Sequence, residues 1–129
     1  MIFTYMDRGN SSNKSRNFGT IERFVEPCIL LLLTKKATHG YGLMEGLEKH
    51  CGEKVDIGNL YRTLRRMEQN SWVKSQWDRK ENERDKRMYT VTKTGRAFLK
   101  SAVLSLKQTD ELIHHLFSGY QKIYLEDKT

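Results

Sequence analysis

The residues best suited to chemistry lie between Asn59 and Arg66, where polar and basic side chains recur on one side of a predicted helix. Arg can donate two hydrogen bonds to a guanine edge or a phosphate, and Asn can pair with an adenine edge. Thr can contact a phosphate or a thymine methyl. Because a helix with this surface suits the major groove of duplex DNA, we predict as contacts Asn59, Arg62, Thr63, Arg65 and Arg66.

A second basic stretch follows between residues 79 and 87, where cations alternate with anions. Its return side, residues 84–87, carries three cations and one anion. Such cations add affinity for phosphates or the minor groove, and this affinity falls steeply with salt. We therefore predict DNA contacts from Arg84, Lys86 and Arg87. The alternative is a solvated loop whose charges largely cancel.

The net charge of +7 is concentrated in one segment. Between Lys54 and Lys100 there are 13 Lys or Arg against 6 Asp or Glu, and the rest of the chain has ten of each. A basic segment attracts a polyanion, which can be nucleic acid, an anionic membrane or an acidic protein. The charge therefore leaves a second hypothesis open, a protein-interaction module that binds an acidic partner.

Other functions have little support in the sequence. It contains no nucleophile elbow, phosphate-binding Gly loop or paired carboxylates, so we expect neither enzyme activity nor a cofactor. The adjacent His114 and His115 point about 100° apart on a helix, so we expect no metal site from them. Cys28 and Cys51 are expected to be buried reduced thiols, and a redox sensor working through them is a third hypothesis.

We expect a cytoplasmic protein without a membrane partner. The N-terminal residues lack the pattern of a secretory signal. No apolar run approaches the ~20 residues of a membrane span.

The pattern predicts a mainly α fold with a two-stranded β wing, that is, a winged helix-turn-helix followed by a long C-terminal helix. Apolar spacing predicts one helix from Ile21 and a second from near Tyr41 that stops at Gly52. Asp56 is a suitable N-cap for the third helix, which ends near Asn70. Residues 72–77 and 88–91 read as the two wing strands, and Thr92 as the cap of the last helix.

The last helix carries a heptad of apolar residues that continues to its end. Its length leaves an apolar face that this small body cannot cover alone, so we predict a homodimer. The predicted dimerisation residues are Leu99, Ala102, Leu106, Ile113, Leu116, Phe117 and Tyr120. The predicted organisation is a flexible arm (residues 1–19), a DNA-binding domain (residues 20–92) and a dimerisation helix (residues 93–125).

Three stretches resemble the PadR-type transcriptional regulators in order and spacing, namely HGYGLMEGLE (residues 39–48), IGNLYRTLRRMEQNSWV (57–73) and KRMYTVTKTGR (86–96). The resemblance covers roughly residues 21–117. It implies a homodimeric repressor that binds a palindromic operator in double-stranded DNA and is released by a small, often aromatic, effector. It also implies that Tyr41 and Tyr61 lie near the DNA backbone.

One departure weakens the expectation of an aromatic effector. Some short members of this family that bind flat aromatic drugs place a tryptophan in the last helix, where this chain has Leu106. The two tryptophans here, Trp72 and Trp77, lie in the first wing strand, where we expect both to pack against the last helix. We also expect His39 to cap the second helix.

Overall fold

The computed structural model describes residues 24–78 and 86–126. Four helices and three strands follow one another as α1 (Val25–Lys35), β1 (Thr38–His39), α2 (Gly40–Cys51), α3 (Ile57–Gln69), β2 (Val73–Asp78), β3 (Lys86–Val91) and α4 (Lys93–Gln121). The residues Lys122–Glu126 continue α4 as a short π-helix. The mainly helical composition with a long last helix confirms the predicted class.

The helix ends follow the local sequence. Pro27 lies in the first turn of α1, where its missing N–H has no helical partner to lose. Gly52 adopts a left-handed conformation with φ 69° and ends α2. Asp56 caps α3, because its Oδ1 accepts a hydrogen bond of 2.8 Å from the backbone N–H of Asn59.

The sheet has three strands rather than the predicted two. Its antiparallel order is β1-β3-β2, with Thr38 opposite Tyr89 and His39 opposite Met88. A strand of two residues is too short to show an alternating pattern, so β1 could not be recognised from its own residues. His39 is the N-cap residue of α2, as predicted, but its side chain takes no part in the cap. Its Nε2 lies 3.1 Å from Oδ2 of Asp78 instead.

The core joins the three short helices to the sheet. Large apolar side chains from every helix of this group are fully buried, and Val73 and Tyr89 close the core from the strands. Each such leucine or isoleucine contributes about 1.5–3 kcal/mol relative to an exposed position. The fully buried members from the helices are Ile29, Leu30, Leu43, Leu47, Leu60, Leu64 and Met67.

The start of α4 is bound to the turn between α3 and β2. Thr92 Oγ1 accepts a hydrogen bond of 2.9 Å from the Gly95 N–H and donates one of 2.7 Å to the Ser71 carbonyl oxygen. Trp72 stacks on Phe98 of α4 with ring centroids 3.9 Å apart. The predicted cap and the predicted packing of Trp72 are therefore confirmed. The same prediction for Trp77 is wrong, because its side chain is 53% exposed.

The chain divides into two compact units. One spans Arg23–Lys100 and contains the winged helix-turn-helix with the first turns of α4. The described part of the other unit begins at Ser101 and consists of the remainder of α4 and its π-helical end. Among the described residues, no helix is both long enough and apolar enough to cross a bilayer.

Candidate nucleic-acid interface

The first two turns of α3 carry a chain of polar side chains on their exposed side. Asn59 donates from Nδ2 to Oδ2 of Asp56 at 2.9 Å, and Arg62 donates from Nη2 to Oδ1 of Asn59. The helix cap therefore orients Asn59, and Asn59 in turn orients the Arg62 guanidinium. Both side chains stay exposed, so their remaining hydrogen-bonding groups are available to a base edge or a phosphate.

The other predicted residues of α3 differ in their surroundings. Thr63 and Tyr61 are half-buried, whereas Arg65 is exposed. Arg66 donates from Nη2 at 3.0 Å and from Nε at 3.3 Å to Oε2 of Glu26, a buried carboxylate in the first turn of α1. The Arg66 guanidinium is thus bound within the protein, and it joins α3 to α1.

Two of the three predicted cations of the wing lie at the start of β3. Lys86 is exposed, and Arg87 is fixed by its neighbours. Its Nε donates at 3.0 Å to Oγ of Ser75, which donates at 2.9 Å to Oε2 of Glu68, and its guanidinium lies 4.7 Å from the ring centroid of Trp77. Arg84, the third predicted cation, lies outside the described residues.

A cleft of about 650 Å³ lies between the start of α2, the middle of α3 and the wing strands, and we call it the wing cleft. Its aromatic wall consists of Tyr41, Tyr61, Trp77 and Tyr89, and its cations are Arg65, Lys86 and Arg87. Gly40 and Glu68 complete the lining. The cleft therefore combines stacking surfaces with positive charge, as nucleic-acid backbone sites do.

The aromatic wall depends on a glycine at the start of α2. A Cβ at Gly40 would overlap the Tyr61 hydroxyl and lie 2.7 Å from Cζ of Tyr61. Only glycine therefore lets the Tyr61 ring lie against the first turn of α2. Tyr41, one residue on, is 64% exposed.

Sequence reasoning placed Tyr41, Tyr61, Arg65, Lys86 and Arg87 in the interface, and the structure brings these five to one cleft. It missed Trp77 and Tyr89, because an aromatic residue in a strand is first explained by packing. The register could have revealed Trp77, since it lies directly opposite Arg87 in the hairpin.

The two cysteines differ from the expectation that both are buried. Cys28 is buried and Cys51 is half-buried, and both are free thiols. Burial, together with the neighbouring Cys51 thiol, raises the pKa of Cys28 to about 12. Cys28 is therefore a thiol rather than a reactive thiolate at neutral pH.

The predicted dimerisation residues fall into three groups. Leu99 is half-buried and packs against the core of its own unit. Ala102 and Leu106 are half-buried. The remaining four, Ile113, Leu116, Phe117 and Tyr120, are each at least 50% exposed, as are Leu112, Ile123, Tyr124 and Leu125 around them.

The chain matches the model of the transcriptional regulator PadR-like family over residues 29–101. It is 34% identical over 73 residues to Rv1176c of Mycobacterium tuberculosis, which is named a probable transcriptional regulator. The matched region is 55% of this chain but only 39% of that relative.

Solved structures share the fold. A PadR-like transcription factor from Bacteroides fragilis is 27% identical with a TM-score of 0.62, and the match covers 71% of this chain and 88% of that one. Bacillus subtilis PadR in complex with operator DNA is 21% identical with a TM-score of 0.59, over 65% of this chain and 48% of that one. The match to the family model covers more than half of the sequence and agrees with the resemblance carried by its motifs. It also agrees with a regulatory rather than an enzymatic role. The chain belongs to the PadR-like family of transcriptional regulators.

Proposed function

We propose that the protein is a sequence-specific DNA-binding repressor that binds a palindromic operator as a homodimer. The observation that carries this proposal is the oriented pair Asn59 and Arg62 on the exposed side of α3, next to the cations of the wing cleft. In a winged helix-turn-helix, the helix after the turn enters the major groove and its first residues contact base edges. Asn59 and Arg62 occupy the first two turns of that helix.

The contacts fall into two kinds. We assign base reading to Asn59 and Arg62, with Thr63 beside them. We assign backbone binding to Arg65, Lys86 and Arg87 with Tyr41 and Tyr61, because they line the wing cleft at the flank of α3. Arg66 joins α3 to α1 through its ion pair with Glu26. Any contact that it makes with DNA must compete with that ion pair.

We further infer a homodimer through α4, supported by its exposed apolar side chains from Ile113 onwards. A dimer related by a two-fold axis places two copies of α3 on the DNA and so requires a palindromic site. Release by a small aromatic effector completes the proposal and rests on family membership. The proposed activity requires access to chromosomal DNA, which agrees with the expected cytoplasmic location.

The test uses duplex fragments selected from genomic DNA by the full-length protein, with affinities measured by fluorescence anisotropy. Arg62→Ala should weaken binding by about 1–3 kcal/mol and relax base preference at one position in each half-site. Lys86→Ala should weaken all duplexes about equally and reduce the salt slope by about one. Arg96→Ala removes an exposed cation of α4 outside the cleft and should change neither property.

Unchanged binding in both Arg62→Ala and Lys86→Ala would contradict this assignment. Failure of the protein to bind any duplex at low salt, together with saturable binding of an acidic protein, would favour the protein-interaction module instead.

A further inference from the structure

Tyr89 presents an unusual polar group to the wing cleft. The residue is 5% exposed and lines the cleft. Within residues 24–78 and 86–126, its hydroxyl makes no hydrogen bond. A buried hydroxyl without a partner costs about 1–3 kcal/mol relative to a satisfied one. Because Tyr89 lines a cleft that also contains three cations, its hydroxyl can donate to a partner that arrives from outside the protein.

The groups around this hydroxyl define the chemistry of that partner. The electrostatic neighbours of the phenol are Tyr61, Arg87, Glu68 and Arg65, all of which line the same cleft. Burial raises the pKa of Tyr89, so its neutral O–H is a donor at physiological pH. The Glu68 carboxylate already accepts a hydrogen bond from Ser75. A hydrogen-bond donor that lies among cationic side chains favours an oxyanion as its ligand.

The neighbours of Arg87 leave part of its guanidinium available to such an anion. Ser75 holds its Nε, and the face of its guanidinium lies over Trp77, so the terminal nitrogens are the part of the group that remains for a ligand. The first turn of α2 adds a further positive region, since its N-cap His39 supplies no side-chain hydrogen bond and uses its ring for Asp78 instead. Gly40 at this helix start lines the cleft.

We propose that the wing cleft is an oxyanion site that holds one phosphate of the DNA backbone, with the Tyr89 hydroxyl and the Arg87 guanidinium as donors. Trp77 and Tyr41 form the walls that cover the adjoining sugar. This assignment rests on the proposed function and names a site within it. The phosphate fixes the position of the wing relative to α3, so it contributes affinity and register without reading sequence.

The experiment compares Tyr89→Phe with the unaltered protein in a Trp72→Phe background, which leaves Trp77 as the single tryptophan. Duplex DNA should quench Trp77 and shift its emission to the blue, because the backbone covers an indole that is 53% exposed in the free chain. Tyr89→Phe should weaken binding of every duplex about tenfold. Because the hydroxyl has no partner in the part of the chain that the structure describes, the melting temperature should stay the same or rise.

Thr90→Val is the matched control. It removes a hydroxyl from the next residue of the same strand, which does not line the cleft, and should leave DNA affinity unchanged. Inorganic phosphate, added to the free protein at constant ionic strength, separates the two sources of the anion. Under the DNA assignment, millimolar phosphate leaves Trp77 emission unchanged.

Equal DNA affinity of the Tyr89→Phe variant and the unaltered protein would overturn the proposal. So would quenching of Trp77 by millimolar phosphate that Tyr89→Phe abolishes while duplex binding persists, because the site would then serve a free anion. If the unaltered protein binds no duplex at all, the proposed function itself fails, and the assignment of a backbone phosphate falls with it.

Discussion

Arg66 lies at a half-exposed position of α3, yet its guanidinium is bound to a carboxylate inside the protein. Glu26 is 1% exposed, and both hydrogen bonds from Arg66 reach the same Oε2 atom. A buried carboxylate that loses a cation keeps its desolvation cost and loses the compensation that this cation gave. The pair therefore helps to fix the position of α3 against α1, and with it the positions of Asn59 and Arg62.

Arg66→Ala should lower the free energy of unfolding by about 2 kcal/mol, because it leaves the Glu26 carboxylate without this partner. Arg62→Ala is the matched control, since within residues 24–78 and 86–126 its guanidinium hydrogen-bonds only to the exposed Asn59, and it should change stability by less than about 0.5 kcal/mol. Urea unfolding curves of the two variants measure the difference. Equal midpoints would show that the Arg66 pair does not support the helix.

The Cys28 thiol should react slowly with a maleimide or with a disulfide reagent at neutral pH, because its pKa of about 12 leaves almost no thiolate. The unfolded chain loses this proton near pH 9, before the folded protein does. The contribution of Cys28 to stability is therefore complete below pH 9 and is lost as the pH rises towards 12.

Labelling of a Cys51→Ser variant, which retains Cys28 alone, measures this directly. Cys28→Ser is the companion variant and should react faster through its half-buried Cys51. Rapid labelling of Cys28 in the folded protein at pH 7 would revive the redox-sensor hypothesis.

The sequence predicts roles of single residues only where local chemistry decides them. Asp56 and Thr92 were predictable as caps because a capping side chain directly precedes its helix and accepts a hydrogen bond from a backbone N–H of the first turn. The partners of His39 and Arg66 were not, because each side chain binds a residue 39 or 40 positions away. Such pairs depend on how the helices pack, which no local pattern encodes.

At the scale of elements, the junction between the wing and α4 is fixed by a close backbone approach. A Cβ at Gly95 would overlap the carbonyl oxygen of Trp72 and lie 3.0 Å from its carbonyl carbon. The same carbonyl accepts hydrogen bonds from the Thr92 backbone N–H and from its hydroxyl. The first turn of α4 therefore lies directly on the turn between α3 and β2.

Gly95→Ala should destabilise the winged helix by several kcal/mol, because backbone rather than a flexible side chain must move. Gly119→Ala is a matched control in the same helix, where an added Cβ meets nothing within 4 Å. There the substitution should stabilise the helix by up to about 1 kcal/mol through propensity alone. Thermal unfolding followed by circular dichroism compares the two, and similar melting temperatures would contradict the close approach at Gly95.

The elements themselves were largely predictable, since helical spacing and caps located the first three helices to within a few residues. The second wing strand is longer than its strong β-formers suggested, because β3 begins at Lys86 and its pairing with β2 includes charged residues. The first has the predicted six residues, shifted by one position. The strand β1 was not predictable, because it exists only through its pairing with β3.

At the scale of the whole molecule, the second half of α4 presents apolar side chains that the described chain does not cover. Leu116 is 74% exposed, with Phe117 and Tyr120 beside it at 57% each. An exposed stripe of this size on a helix of 29 residues is typical of an interface between subunits. We therefore expect the dimer to depend on this stripe rather than on the winged helix.

Leu116→Glu should shift the protein from dimer to monomer in sedimentation experiments at micromolar concentration, because the charge must be buried in the interface. Leu31→Glu introduces the same charge at an exposed leucine of α1 and should leave the dimer intact. Dimers in both variants would exclude the α4 stripe as the interface.

The heptad predicted an assembly helix, but it could not separate contacts within one chain from contacts between chains. Leu99 shows this, because it follows the heptad and yet packs against its own winged helix. Likewise, the wing cleft could not be predicted as a cavity, although five of its lining residues were predicted as DNA contacts.

We expect one defining property of the whole molecule, sequence preference in the binding of duplex DNA by α3 and the wing cleft. Its most direct measurement is the affinity of the full-length protein for a selected operator and for a scrambled duplex of equal length, across a range of salt concentrations. We expect a ratio of at least about 10³ in favour of the operator and a linear fall of log K with log salt for both duplexes. Equal affinities for the two duplexes, or no binding to either at low salt, would contradict it.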